Sequence, residues 1–136
     1  MNSASNSNRG KFVAALFAGL MLAGIATASP ALAGKWDAIA VDDSIGTKGG
    51  DAGYGVGTAD TKAEAEAAAR HKCHSEGNSD CTVVLSYRGQ CGAYASSAKH
   101  AGRGTGATER AARQAAMAEC GADTCKVLVS DCVGED

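Results

Sequence analysis

Six cysteines carry the most chemical potential in this 136-residue chain: Cys73, Cys81, Cys91, Cys120, Cys125 and Cys132. Thiols form disulfides, bind metals as thiolates or attack as nucleophiles. The stretch His71-Lys72-Cys73-His74, with Cys81 close behind it, superficially resembles a metal or redox cluster built on Cys73, His74 and Cys81. The spacing argues against it. Zinc sites in small domains usually present C-x₂₋₄-C or H-x₃₋₅-H pairs, and among the cysteines only Cys120 and Cys125 are spaced that way. A Cys–His nucleophile needs an unpaired thiol, and an even, fully paired set leaves none. The sequence therefore favours structural disulfides, with no metal and no cofactor.

Other candidates for chemistry are weaker. His71 and His74 fall at the end of an alanine-rich helix, where the helix dipole favours a cation. His100 lies in a Lys/Gly-rich loop, and Ser86, Ser96 and Ser97 have no recognisable base and no G-x-S-x-G elbow. Glu64 and Glu66 are two residues apart and point to different helix faces. Gly53-x-Gly55-x-Gly57 and Gly102-x-Gly104-x-Gly106 each run into a helix start, as phosphate cradles do. The G-x-G-x-x-G fingerprint and the G-K-[ST] ending are both missing, so these glycines are read as letting a strand bend or a neighbour approach. Trp36, Tyr54, Tyr87 and Tyr94 are the aromatics outside the N-terminal stretch. They could form a binding face for peptide or glycan, with burial in the core as the competing use.

The elements that position these residues come from a repeat. Gly55–Cys73 (GVGTADTKAEAEAAARHKC) and Gly102–Cys120 (GRGTGATERAARQAAMAEC) share eight of nineteen positions without a gap, including two glycines, two threonines and the final cysteine. The match resumes at Cys81-Thr-Val-Val-Leu-Ser86 and Cys125-Lys-Val-Leu-Val-Ser130, and Cys91 then parallels Cys132. Each half reads β-β-α-β. Trp36–Val41 and Cys91–Ser96 are first strands, a Gly/Lys/Asp-rich turn spans Gly46–Gly53, and Tyr54–Thr58 and Gly102–Gly106 are short second strands. Thr61 with Glu64 forms a capping box for the first helix, and Thr108 caps the second. Ala65, Ala68, Ala69 and Cys73 share one helix face, as do Ala112, Ala115, Ala116 and Cys120. Val83–Leu85 and Val127–Val129 read as inner strands. The expected fold class is α+β: pseudo-twofold duplicated β-β-α-β units in one mainly antiparallel sheet, with both helices on one face. Equivalence between the halves favours the pairs Cys73–Cys81 and Cys120–Cys125. Cys91–Cys132 would then tie the halves together. A Cys73–Cys120 bond between helix ends is the alternative.

Composition bounds the rest. The chain is 45% hydrophobic but only 4% aromatic, and much of the hydrophobic count is alanine. A core this thin usually needs covalent staples. Residues 1–33 read as a secretory signal: Arg9 and Lys11 precede the uncharged run Phe12–Ala28, and Ala31-Leu32-Ala33 forms an A-x-A cleavage box. Residues 34–136 are then one duplicated, cysteine-rich domain, with halves at about 36–91 and 91–132. The whole chain carries a formal charge of −2, and losing Arg9 and Lys11 makes it more acidic. Nucleic acid and anionic membranes are disfavoured as partners, and no stable membrane insertion is expected after cleavage. The expected location is secreted, periplasmic or at the cell envelope.

The order A-I-A-V (Ala38–Val41), G-x-G-T (Gly55–Thr58), an alanine-rich helix ending in Cys73, C-x-V-V (Cys81–Val84) and C-G-A-Y-A (Cys91–Ala95), then repeated to Cys132, resembles the bacterial family of the domain of unknown function 4189. The resemblance covers nearly all of Trp36–Cys132. It implies a small exported α+β domain with this cysteine framework, of a kind found in actinobacteria, mycobacteria included, and in proteobacteria. It brings no catalytic residues. The expected function is a non-enzymatic, secreted module that binds a protein or a cell-envelope component. The alternatives are a host- or competitor-directed effector and a small envelope-acting hydrolase using a carboxylate with His71 or His100.

Overall fold

The computed structural model describes residues 34–42 and 52–133. The leader assigned to residues 1–33 and most of the turn at 46–53 lie outside them. The elements run β1 (Trp36–Asp42), β2 (Gly53–Ala59), α1 (Lys62–Ser75), β3 (Cys81–Arg88), β4 (Cys91–Ser96), β5 (Ala101–Gly106), α2 (Glu109–Cys120) and β6 (Lys126–Cys132).

These strands form two antiparallel sheets, ordered β2-β1-β3 and β5-β4-β6, where the sequence suggested one. The helices do not share a face either. Ala65, Ala69 and Cys73 of α1 bury against Ala38 and Ala40 of β1, whereas Ala112, Ala116 and Cys120 of α2 bury against Ala93 and Ala95 of β4. The cause lies in the alternation of the central strands. On β1, Ala38 and Ala40 face the helix while Ile39 and Val41 point the other way. The second face meets the other sheet: Ile39, Val41, Tyr87, Tyr94 and Val129 form one cluster, with Val84, Leu85 and Leu128 packed on it. Full burial of Ile39 and of Val41 contributes about 1.5–3 kcal/mol each. The central strands are β1 and β4, so the valine-rich β3 and β6 flank their sheets and are not inner strands.

Glycine on β2 and on β5 lets a helix sit close. A β-carbon at Gly55 would fall on the backbone nitrogen of Cys73, and one at Gly57 on that of Ala69. Gly102 and Gly104 meet Cys120 and Ala116 in the same way. Helix starts follow the expected caps. Thr61 accepts from the N–H of Glu64 at 3.3 Å, and Thr108 from that of Ala111 at 3.2 Å. Glu64 answers by accepting the Thr61 hydroxyl proton at 2.9 Å. Gly121 ends α2 in the left-handed region, at φ 69°, and donates to the carbonyl of Met117.

Three disulfides join Cys73 to Cys81, Cys120 to Cys125 and Cys91 to Cys132. The first two close the turn between each helix and the following strand. Cys91–Cys132 does not tie the halves together. It lies within the second sheet, between directly opposed residues of β4 and β6, with Cα atoms 3.9 Å apart. The register explains the difference. Cys91 stands two residues before Ala93, as Trp36 stands before Ala38, so the first sheet has Trp36 opposite Arg88 at the corresponding place. Cys91 and Cys132 are therefore partners and not counterparts.

Candidate binding groove along strand β2

The four aromatics of the suggested binding face are dispersed. Tyr87 and Tyr94 are buried between the sheets, and Trp36 is half-buried against the cluster under α1. Strand alternation puts both tyrosines on the inter-sheet side, where their rings supply the bulk that a core of alanine and valine lacks. Tyr54 alone of the four is exposed, at 42%.

Tyr87 is held by its surroundings at both ends. Its ring occupies the space that a β-carbon at Gly92 would take, and its hydroxyl donates to Asp131 Oδ2 at 3.0 Å. Burial pushes its pKa far above the ordinary tyrosine value, and the neighbouring carboxylate of Asp131 adds to the shift, with Asp37 contributing less. Asp37 lies opposite Tyr87 in the β1–β3 register, and its buried Oδ1 has no hydrogen-bond partner among the described residues.

Tyr54 lines a groove of about 510 Å³ at the outer side of β2, with Ala52, Gly53, Gly55, Val56 and, from the end of α1, Lys72, Glu76 and Asn78. Gly53 and Gly55 leave room for α1 and its end: a β-carbon at Gly53 would run into the Asn78 side chain, and one at Gly55 into the backbone of Cys73. One wall carries the surface ion pair Lys72–Glu76 at 3.1 Å. The other polar group is fixed more firmly: Asn78 Nδ2 donates to the carbonyl of Cys73 at 2.9 Å, and the Asn78 carbonyl accepts from His74 Nδ1 at 2.9 Å. The Cys73–Cys81 bond closes the same turn. The groove thus joins an aromatic ring, two opposite charges, an amide and the outer edge of a terminal strand. That combination suits stacking on a sugar face or strand-like docking of a peptide.

Lys72, Glu76 and Asn78 did not emerge from the sequence as groove residues. The spacing of Lys72 and Glu76 is visible as an i,i+4 pair, but their meeting with Tyr54 depends on α1 lying across β2. His71 is exposed on α1, and His100 is exposed in the loop between β4 and β5. Cys73 and Cys81 are bonded to each other, so the cluster with His74 has no thiolate to offer a metal. Among the described residues no group of three or more His, Cys, Asp or Glu is placed to hold a metal ion. No helix among them is long and apolar enough to cross a membrane. Three disulfides are the chemistry of an oxidising compartment.

Neither the curated proteins nor the solved structures contain a match to this chain. The family model described as "Domain of unknown function (DUF4189)" matches residues 36–132, from the first residue of β1 to the last of β6, and the chain belongs to that family.

Proposed function

We propose that this protein is an exported, non-enzymatic binding module, built from a duplicated unit, that recognises a protein or a cell-envelope component through the groove at Tyr54. The observation that carries the reading is the exposed Tyr54 ring in an aromatic-poor chain, set beside the edge of β2. An aromatic ring carried on a strand offers contact area with little ordering to pay for. The leader-like residues 1–33 and the disulfides support export.

Duplication is supported by more than the repeat. Both sheets place the first strand of their unit in the centre. Both carry a register shift, leaving Val84 and Leu128 as the extra residues at corresponding places. A serine of the last strand donates to a helix glutamate in each unit, Ser86 to Glu66 at 2.7 Å and Ser130 to Glu109 at 2.6 Å. The helix ion pairs that hold those glutamates, Lys62–Glu66 and Glu109–Arg113, occupy matching positions with their charges exchanged.

The test is retention of the purified protein on peptidoglycan, on envelope membranes and on a peptide array, each compared with Tyr54→Ala. Retention on one of them that weakens about tenfold or more in the variant is expected, as for an interface anchor. Equal retention of both proteins, or none on any surface, overturns the reading.

A further inference from the structure

A second cavity, of about 240 Å³, opens at the end of β4 and is lined by Ala52, Tyr94, Ser96–Ala98 and Lys99–Ala101. Its chemistry differs from that of the Tyr54 groove. Among the described residues its lining includes no carboxylate, and it carries the cationic Lys99 beside His100. Ser96 is 7% exposed, and its buried Oγ has no hydrogen-bond partner among the described residues. A buried hydroxyl without a partner is costly, and native structures tend to keep one only for a reason. The neighbouring serine shows the contrast. Ser97 Oγ accepts from the N–H of His100 at 3.1 Å and of Lys99 at 3.4 Å, which folds the loop and sets both side chains at the cavity rim.

We infer that this cavity is a binding site for an oxyanion group, a carboxylate or phosphate of a small ligand, with Ser96 donating from below and Lys99 and His100 from the rim. Each donor has a proton to give: the hydroxyl of Ser96, the ammonium of Lys99 and one ring N–H of His100 in either tautomer. Hydrogen bonds to a charged acceptor are the strong class, and the volume admits only a small group. The Tyr54 groove is not needed for this site, so either can fail alone.

The experiment is a titration of the ¹⁵N-labelled protein with sodium phosphate and, separately, sodium acetate, holding ionic strength constant with sodium chloride. Saturable shifts confined to the amides of Ser96–Gly102 are expected with at least one of the two anions. Phosphate alone saturating assigns a phosphate ligand, and acetate alone a carboxylate. Lys99→Ala, on the exposed loop, should weaken binding about tenfold while leaving the spectrum of the folded protein intact, and Ser96→Ala should do the same. Shifts no larger than those from chloride, or equal affinity in Lys99→Ala, overturn the inference.

Discussion

Tyr87 of the first sheet donates a 3.0 Å hydrogen bond to Asp131 of the second, and its ring fills the place left by Gly92, the residue opposite Asp131 in the β4–β6 register. One side chain thereby bolts the two sheets together with apolar area and a charge-assisted bond. Tyr87→Phe keeps the ring and takes one donor from Asp131. A loss of about 1–3 kcal/mol in urea unfolding is expected, while a loss no larger than that of an exposed substitution such as Tyr54→Phe would show the bond to be idle.

The burial of the same side chain sets a pH dependence. The folded state raises the Tyr87 pKa, chiefly through burial and then through the Asp131 charge. The stability gained by keeping the phenol protonated is therefore complete below the ordinary tyrosine value of about 10 and drains away as pH rises beyond it. In an alkaline titration read by tyrosinate absorbance, the Tyr87 signal should appear only together with unfolding. Tyr87→Phe should remove that late signal and flatten the stability slope above about pH 10.

Gly57 is the closest seat of α1 on its sheet, since an added β-carbon would meet the backbone of Ala65 and Ala69 rather than a movable side chain. Gly57→Ala forces helix and sheet apart, and a cost of about 3 kcal/mol or more is expected in thermal or urea unfolding. Gly89→Ala is the comparison. Its φ of 63° is strained for alanine, yet none of the described residues lies within 4 Å of the added atom, so the cost should stay near 1–2 kcal/mol.

Much of this arrangement is legible in the residues. Thr61 and Thr108 mark the helix starts, the spacing of Ala65, Ala69 and Cys73 marks the buried face, and the Gly-x-Gly strands receive it. The favoured disulfide set is the one found. The two-sheet layering was harder to see. Alternation shows that Ala38 and Ile39 point opposite ways, but not that one side meets a helix and the other a second sheet. Side-chain size was the usable signal, because a helix needs alanine to approach closely, whereas sheet packing at about 10 Å needs Ile, Val and Tyr. The partnership of Arg103 with the Val84 carbonyl, at 3.1 Å, had no signal at all, because it exists only once β5 and β3 are brought together by packing.

Asp42 is fully buried at the end of β1, where its Oδ2 accepts from the N–H groups of Ser79 at 2.9 Å and Asp80 at 3.3 Å. It fixes the turn that also carries Asn78 into the Tyr54 groove. Asp42→Ala leaves those backbone donors without their carboxylate, and about 2 kcal/mol of stability should be lost. Hydrogen exchange at Ser79 and Asp80 should speed up in proportion. Unchanged protection there would show that the Cys73–Cys81 bond alone holds the turn.

The disulfides divide the work unequally if chain entropy governs them. Cys91–Cys132 spans 41 residues and Cys120–Cys125 spans 5. Closing the longer loop restricts the unfolded chain far more, so replacing Cys91 and Cys132 with alanine should cost about 4 kcal/mol, and replacing Cys120 and Cys125 about 2 kcal/mol. Reversible urea unfolding of the two double variants measures the difference. Equal costs would mean that the strength of the bonds lies in native packing, where Cys91, Cys120 and Cys125 are all buried in the cluster beneath α2. The ordering also bears on the groove. Neither bond touches the turn beside Tyr54, so both variants should keep whatever ligand the groove binds for as long as they stay folded.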